Sequence, residues 1–444
     1  MPFESRNAPS EIASVPEEVT GQPRRVVLGH LLWRKTFTAL RHRNFRLFFG
    51  GQLISLIGSW VQNTAQGWLV YELTGSKMLL GVTAAVASAP MMLFSIWGGS
   101  VADRHSKRNI VLWTQTSMML AAFVFAALVW SGRIRIWEIL VLAGAGGLAM
   151  AFDMPARQAF MVEMTSREDL MNAISLNSSI VNGARVIGPS VAGFLMARAG
   201  MAMCFFLNGV SFLAVLAGLW LMRLPRFVPP HRASSAWAHA GEGFLYVWRD
   251  RRMRTILILF AIVGIFGWSY SVLMPAYATD VLHVGQAQYA FLLSANGIGA
   301  LLGALTVATI GSQTNRRLLV FGGLMVFSCM LLLLALVKNY FLALVFLEVG
   351  GWGMLLFFST VNTLLQTSSS DAMRGRVMGI WALVFGGMTP IGGLEAGALS
   401  NSMGVQWAVG TGAIVCALAA LVVWLIVRQQ PSPESAGGTI GEGG

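Results

Sequence analysis

Three ionisable residues, Arg185, Glu348 and Glu395, lie inside long apolar stretches of the 444-residue chain. A charge near the centre of a bilayer costs at least about 2.5–3.5 kcal/mol on insertion scales, so such side chains normally face a partner, a substrate or a water-filled path. A membrane-embedded carboxylate can also exchange a proton with either side. Glu348, about eight residues into its apolar run, is therefore expected either to take a proton-coupling or substrate role or to form a structural ion pair, with Arg185 as its partner. Glu395, nearer the end of its run, is the next acid able to take that part. Cys204, Cys329 and Cys416 occupy separate apolar runs without CxxC spacing, and all six histidines fall in loops or tails. Neither a disulfide framework nor a zinc site can be written from them. Gly297, Gly299 and Gly303 miss GxGxxG by one residue and follow no strand, so they read as helix-packing positions. The chain is expected to be no enzyme and to hold no metal or cofactor. It has no ATP-binding sequence, so any driving force is expected to be a gradient, such as a proton gradient, or a partner.

Polar residues also recur in the first apolar run. Gln52, Ser55, Ser59, Gln62 and Gln66 follow steps of 3, 4, 3 and 4, which stacks them on one helical face. A polar stripe avoids lipid, so it lines a transport cavity or makes hydrogen bonds inside a buried helix. Trp268, Tyr270, Trp352 and Met388 are candidates for the apolar walls of such a cavity, with plain packing as the alternative.

The elements that must position these groups follow from hydropathy. The chain is 55% hydrophobic and 11% charged, against roughly 25% charged for a soluble globular chain. Apolar runs fall at about 47–70, 78–101, 110–130, 136–154, 171–197, 203–222, 256–278, 289–311, 318–337, 340–365, 377–399 and 405–427. Each matches the ~20 residues of a helical crossing. The expectation is an all-α membrane protein with twelve transmembrane helices in two six-helix bundles, 47–222 and 256–427, joined by a linker over 223–255. The linker reads as a solvated tether, although 241–250 mixes large apolar and charged residues as an interfacial helix does. Residues 1–46 form a tail in which 26–43 suits a helix lying on the membrane surface, and 428–444 reads as disordered. The halves are 176 and 172 residues long, and Pro189 and Pro390 lie 201 apart. Such duplication places a substrate site near the midplane between the halves.

The net charge of +12 is not a nucleic-acid footprint. Of the 31 Lys and Arg residues, Arg185 lies within a span, five (Lys77, Arg133, Arg135, Arg198, Lys338) fall in one set of alternate loops, and the other 25 fall in the opposite set or the tails. The positive-inside rule then puts both termini in the cytoplasm.

After the second run, Gly99, Asp103, Arg104, Lys107 and Arg108 follow the spacing GxxxDRxxKR. A glycine there lets helices approach, and the acid suits the positive end of a neighbouring helix. The spacing resembles the signature between helices 2 and 3 of the major facilitator superfamily, with Ser106 in place of the usual glycine. Gly183, Gly188, Pro189 and Gly193 resemble the helix-5 motif of proton-coupled exporters in that superfamily, with Ala192 in place of one glycine; proline and glycine there permit bending. Asp153, Pro155 and Arg157, together with Arg374, Arg376, Gly379 and the run from Tyr71 to Ser76, resemble its enterobactin-exporter and multidrug-efflux branch. The resemblance implies alternating access, with Asp103, Arg104, Lys107, Arg108, Asp153, Arg157, Arg374 and Arg376 as a cytoplasmic gate.

The function expected is secondary active export of an amphipathic small molecule, drug-like or siderophore, by proton antiport across a bacterial cytoplasmic membrane. An uptake symporter or facilitator of the same fold is the first rival, and a membrane sensor or enzyme the second. Expected partners are the small-molecule substrate and membrane lipid, without nucleic acid, and the chain is expected to act as a monomer.

Overall fold

A computed structural model describes residues 37–224, 236–268, 270–311 and 313–428. The surface helix expected over 26–43 and the disorder expected over 428–444 fall almost wholly outside the described residues. From Ala39 on, the described residues form one compact unit. No strand occurs among them. Twelve long helices dominate: α1 (Arg43–Thr74), α2 (Lys77–Arg104), α3 (Lys107–Trp130), α4 (Ile136–Met164), α5 (Leu170–Ala199), α6 (Met201–Leu221), α7 (Arg251–Asp280), α8 (Gln286–Ile310), α9 (Arg316–Leu336), α10 (Tyr340–Ser368), α11 (Asp371–Met403) and α12 (Val405–Arg428). Eleven of them are apolar and long enough to cross a membrane. The twelfth, α1, has 32 residues, about 48 Å at 1.5 Å per residue, and its polar stripe dilutes its hydropathy.

Two features explain why these helices outrun the apolar runs. Polar residues cap them beyond the hydrocarbon, as Ser76, Asp250, Asn315 and Asn339 do at the starts of α2, α7, α9 and α10. Glycines in the left-handed region then turn the chain: Gly200 (φ 82°) alone joins α5 to α6, and Gly404 (φ 90°) alone joins α11 to α12. That repetition, 204 residues apart, belongs to the duplication of the two halves. Within the first half α1 packs on α6, α2 on α4, and α3 on α4 and α6; in the second, α8 packs on α10, and α9 on α10 and α12. The halves meet through two equivalent pairs, α2 with α11 and α5 with α8.

Alternate loops put two faces on the molecule. The basic face carries Arg104, Lys107, Arg316 and Arg374, and the far face carries the turns at Gly75, Gly200 and Gly404. Exposed tryptophans ring both, Trp113 and Trp220 toward the basic face and Trp130, Trp137 and Trp407 toward the far one, as expected of side chains at membrane interfaces.

The linker departs from a plain tether. Residues Ala236–Arg249 form a helix that buries Val247 and leaves Phe244, Leu245 and Trp248 exposed. Glu242 pairs with Arg376, and Gly243 abuts the Arg376 backbone, which docks the linker helix on the start of α11. Gly99 also departs from its expected role. A side chain there would meet open space, whereas at its neighbour Gly98 it would collide with the Ala151 backbone of α4. Gly98 is the glycine that brings α2 and α4 together.

Candidate functional site

The far face is sealed by three kinds of contact between the halves. Small residues come first: Gly81 of α2 lies backbone to backbone against Gly393 and Gly397 of α11, and Gly193 of α5 packs on Ala287 and Ala290 of α8. Any larger side chain would hold these helices apart. Aromatic contact follows, with the Trp68 and Tyr289 rings 5.4 Å apart between centres. Outermost is a polar latch. Asp280, the last residue of α7, accepts a hydrogen bond from the Tyr71 hydroxyl at 2.6 Å and pairs with the Lys77 ammonium at 3.1 Å. Gln286 of α8 adds a bond to the Met196 carbonyl of α5.

Below this seal, toward the basic face, the halves part. Five hydrogen bonds and ion pairs join the halves at Arg185 or on its far side. A central cavity of about 370 Å³ opens between α1, α2, α7, α8 and α11, walled by Trp60, Asn63, Thr83, Ser271, Pro275 and Tyr289 among others. A second chamber of about 280 Å³ lies inside the first half, lined by Ser59, Gln62, Asn208 and Met118, and shares Asn63 and Gln66 with the first. A third space of about 220 Å³ separates α2 and α4 from α11 near the basic face, between Met92 and Pro155 on one side and Trp381 and Phe385 on the other.

The polar stripe of α1 therefore divides. Ser59, Gln62 and Gln66 line the first-half chamber, and Gln62 accepts a bond from Asn208 at 2.8 Å. Ser55 is buried, and Gln52 accepts a bond from Arg157 instead of facing a cavity. The α1 face that looks across to the other half carries Trp60, Asn63, Thr64 and Gly67. Sequence periodicity missed those four because small, aromatic and amide residues alternate along that face and give no single signal.

Arg185 projects from the middle of α5 toward the second half. Its guanidinium lies 5.2 Å from the Trp268 ring centre and 5.9 Å from that of Trp60, and it donates to the Asn296 side-chain oxygen at 3.2 Å. Asn296 in turn donates to the Leu347 carbonyl of α10. Tyr270, buried, sits beside this group. Glu348 is not its partner: its backbone carbonyl lies against Gly299 on the α8–α10 seam, and its side chain makes no hydrogen bond or ion pair among the described residues. Glu395 lies near Cys416 of α12. Trp352 donates to Thr306 and packs on Gly303, while Met388 fills the space beside Gly264. Both are packing residues of the second half, and neither lines the three spaces described.

The helix-5 residues are contact points. Gly188 faces Trp60, Gly193 faces Ala290, Pro189 is buried, and Gly183 faces open space. α5 runs unbroken through all four.

On the basic face, Lys107 pairs with Glu163 at 2.7 Å, and Arg108 donates to the carbonyls of Leu219 and Trp220, where a cation complements the helix dipole at the end of α6. Asp103 and Arg104 are exposed. Arg374 donates to the Gln366 carbonyl and Arg376 holds the linker helix. Deeper, Asp153 is completely buried. It accepts from Thr114 at 2.7 Å and Gln115 at 3.0 Å and pairs with Arg157 at 2.9 Å, one helical turn on. Asp153 is thus a fourth ionisable residue within the helical body. Hydropathy places it at a helix end because the apolar run stops ten residues before α4 does.

A sequence profile described as "transmembrane secretion effector" matches residues 34–436. The enterobactin exporter EntS of Escherichia coli O6:K15:H31 is 25% identical over 417 residues, 92% of this chain and 99% of that one. The multidrug efflux pump Tap of Mycolicibacterium fortuitum is 24% identical over 358 residues, 79% and 87% of the two chains. The staphyloferrin A transporter of Staphylococcus aureus is 23% identical over 362 residues, 81% and 90%. Among solved structures, a bacterial homologue of the human lysosomal transporter Spinster, inward-facing and unoccupied, superposes with a TM-score of 0.70 at 13% identity, covering 88% of this chain and 99% of its own.

Proposed function

The chain belongs to the transmembrane secretion effector family of the major facilitator superfamily, and from that premise we propose that it exports an amphipathic small molecule by alternating access, driven by proton entry. The observation that carries this reading is the central cavity, sealed beyond Tyr289 by the Gly81–Gly393 contact and the Asp280 latch, and parted toward the basic face. With the basic face in the cytoplasm, this is the conformation in which an exporter loads.

The opposite state follows by rocking the halves about α2–α11 and α5–α8. Glycines and alanines there let backbones slide without large side chains to unlock. Closing the basic face would bring the exposed Asp103 and Arg104 toward the start of α11, where Arg374 and Arg376 lie. Glu348 is the acid we assign to proton coupling, because it carries no cation partner, whereas Asp153 is already neutralised by Arg157. Export of a drug-like compound or a siderophore agrees with what the names of the relatives say of those proteins.

The test is accumulation of a panel of anionic and cationic amphipathic dyes in inverted membrane vesicles with an imposed inside-acid gradient. Gradient-driven accumulation is expected in wild type. Glu348→Gln should abolish it while downhill exchange persists. Accumulation in right-side-out vesicles instead would reverse the direction, and a Glu348→Gln protein that still responds fully to the gradient would remove Glu348 from the coupling step.

A further inference from the structure

Arg185 holds a full positive charge halfway along α5, and everything it touches is neutral. A cation over an aromatic face gains about 0.5–2 kcal/mol, and a guanidinium offers five donors, of which one is engaged, by Asn296. Among the described residues no carboxylate pairs with it. Asp153 is held by Arg157, Glu348 lies on the α8–α10 seam, and Glu395 is beside α12. Arg185 nonetheless keeps partial exposure. Of the two indole rings beside it, that of Trp60 is a wall of the central cavity, and that cavity is lined by no acid and no base.

A planar fork of donors held between two indole rings is preorganised for an oxyanion, and Arg binds such groups by paired hydrogen bonds. We propose that Arg185 is the recognition element for an anionic group on the transported molecule, with the carboxylate, sulfonate or comparable oxyanion joining or replacing Asn296 as its acceptor. The apolar body of the cargo then lies along Trp60, Gly67, Val272 and Leu293 in the 370 Å³ cavity. This assigns the cargo to organic anions, not lipophilic cations. It rests on the transport reading above only for the passage of that cargo; the binding is tested separately. Arg185 and Asn296 belong to different halves, so the bound anion occupies the α5–α8 contact that moves between states.

The experiment compares two probes on one xanthene scaffold, anionic fluorescein and cationic rhodamine 6G, binding to purified protein in nanodiscs of uncharged lipid, read by fluorescence polarisation. Wild type should bind fluorescein at least tenfold tighter than rhodamine 6G. Arg185→Gln should remove that preference without weakening rhodamine 6G, and Arg185→Lys, which keeps the charge but not the fork, should fall between. Asn296→Asp guards against a variant that merely misfolds. It supplies an internal carboxylate within reach of Arg185, so it should preserve or raise thermal stability while reducing fluorescein binding about as much as Arg185→Gln does. Equal affinity of the two dyes in wild type, parallel loss of both in Arg185→Gln, or unchanged fluorescein binding in Asn296→Asp would each overturn the proposal. Liposome transport separates the two claims: fluorescein bound but never moved sinks the export reading, whereas gradient-driven movement of rhodamine 6G without fluorescein sinks this one.

Discussion

Replacing Asp280 with asparagine should shift the molecule toward a state open at the far face. Asp280 receives the Tyr71 hydroxyl at 2.6 Å and the Lys77 ammonium at 3.1 Å, with its own side chain 32% exposed and that of Lys77 25% exposed. Hydrogen bonds to charged groups contribute about 1.5–3 kcal/mol, and exposed ion pairs about 0.2–1 kcal/mol. The amide still accepts from Tyr71 but takes the charge out of both contacts, so the loss is about 1–2 kcal/mol, between those two limits. At about 1.4 kcal/mol per decade, the ratio of far-open to far-closed molecules rises about 5–30-fold. The assay is the rate at which an impermeant thiol reagent, added outside intact cells, modifies a cysteine placed at Thr389 on the cavity wall. The background should lack Cys204, Cys329 and Cys416. The rate should rise by that factor in Asp280→Asn and by a smaller one in Lys77→Met, which leaves the Tyr71 bond in place. If labelling of the Asp280 variant matches wild type within twofold while expression is equal, the latch does not hold the far face closed.

Further substitutions probe other contacts. Gly81→Val puts two methyl groups into the Gly393 backbone, so transport should fall more than tenfold while Thr389 labelling from outside rises; retained transport would mean α2 and α11 are not packed this closely. Asp153→Asn leaves Arg157 without its buried counterion and should cost about 3–5 kcal/mol, as for other broken buried pairs, measured as loss of thermal stability in detergent and partly restored by neutralising Arg157 as well. Cysteine at Ser131 should label from outside and cysteine at Asn109 from inside, and the reverse pattern would invert the orientation argued from the basic loops.

The helical framework was legible because each crossing must satisfy its own backbone bonds in lipid, and that requirement is local in sequence. The crossings came out short, as at α4, because helices continue past the hydrocarbon into water, where hydropathy no longer reports them. The α1 stripe was legible as a period, yet which side of α1 faces which half depends on α6 and on Trp60 meeting Gly188, over a hundred residues away. Arg185 was identifiable as costly, but its partners Trp268 and Asn296 come from α7 and α8 and carry no charge that would mark them. The Tyr71–Asp280 bond spans 209 positions and leaves no pattern at either end. Gly98 and Gly99 are indistinguishable by type, and only the direction in which each would point its side chain separates them.

The weak hydropathy of α1 has a consequence for how the protein is made. Its polar face is satisfied by α4 through Gln52 and Arg157, and by α6 through Gln62 and Asn208, but α1 precedes both during synthesis. From the end of α1 at Thr74 to the end of α6 at Leu221 the ribosome adds nearly 150 residues, on the order of 7–30 s at about 5–20 residues per second. Gln52 lacks its partner until α4 is made and Gln62 lacks its own until α6 is made, and hydrocarbon offers them nothing to bond in the meantime. Independent insertion of α1 is therefore disfavoured. α1 is expected to stay beside the insertion machinery, held in orientation by Arg41, Arg43 and Arg46 at its start, until α4 and α6 arrive to close the first bundle around it.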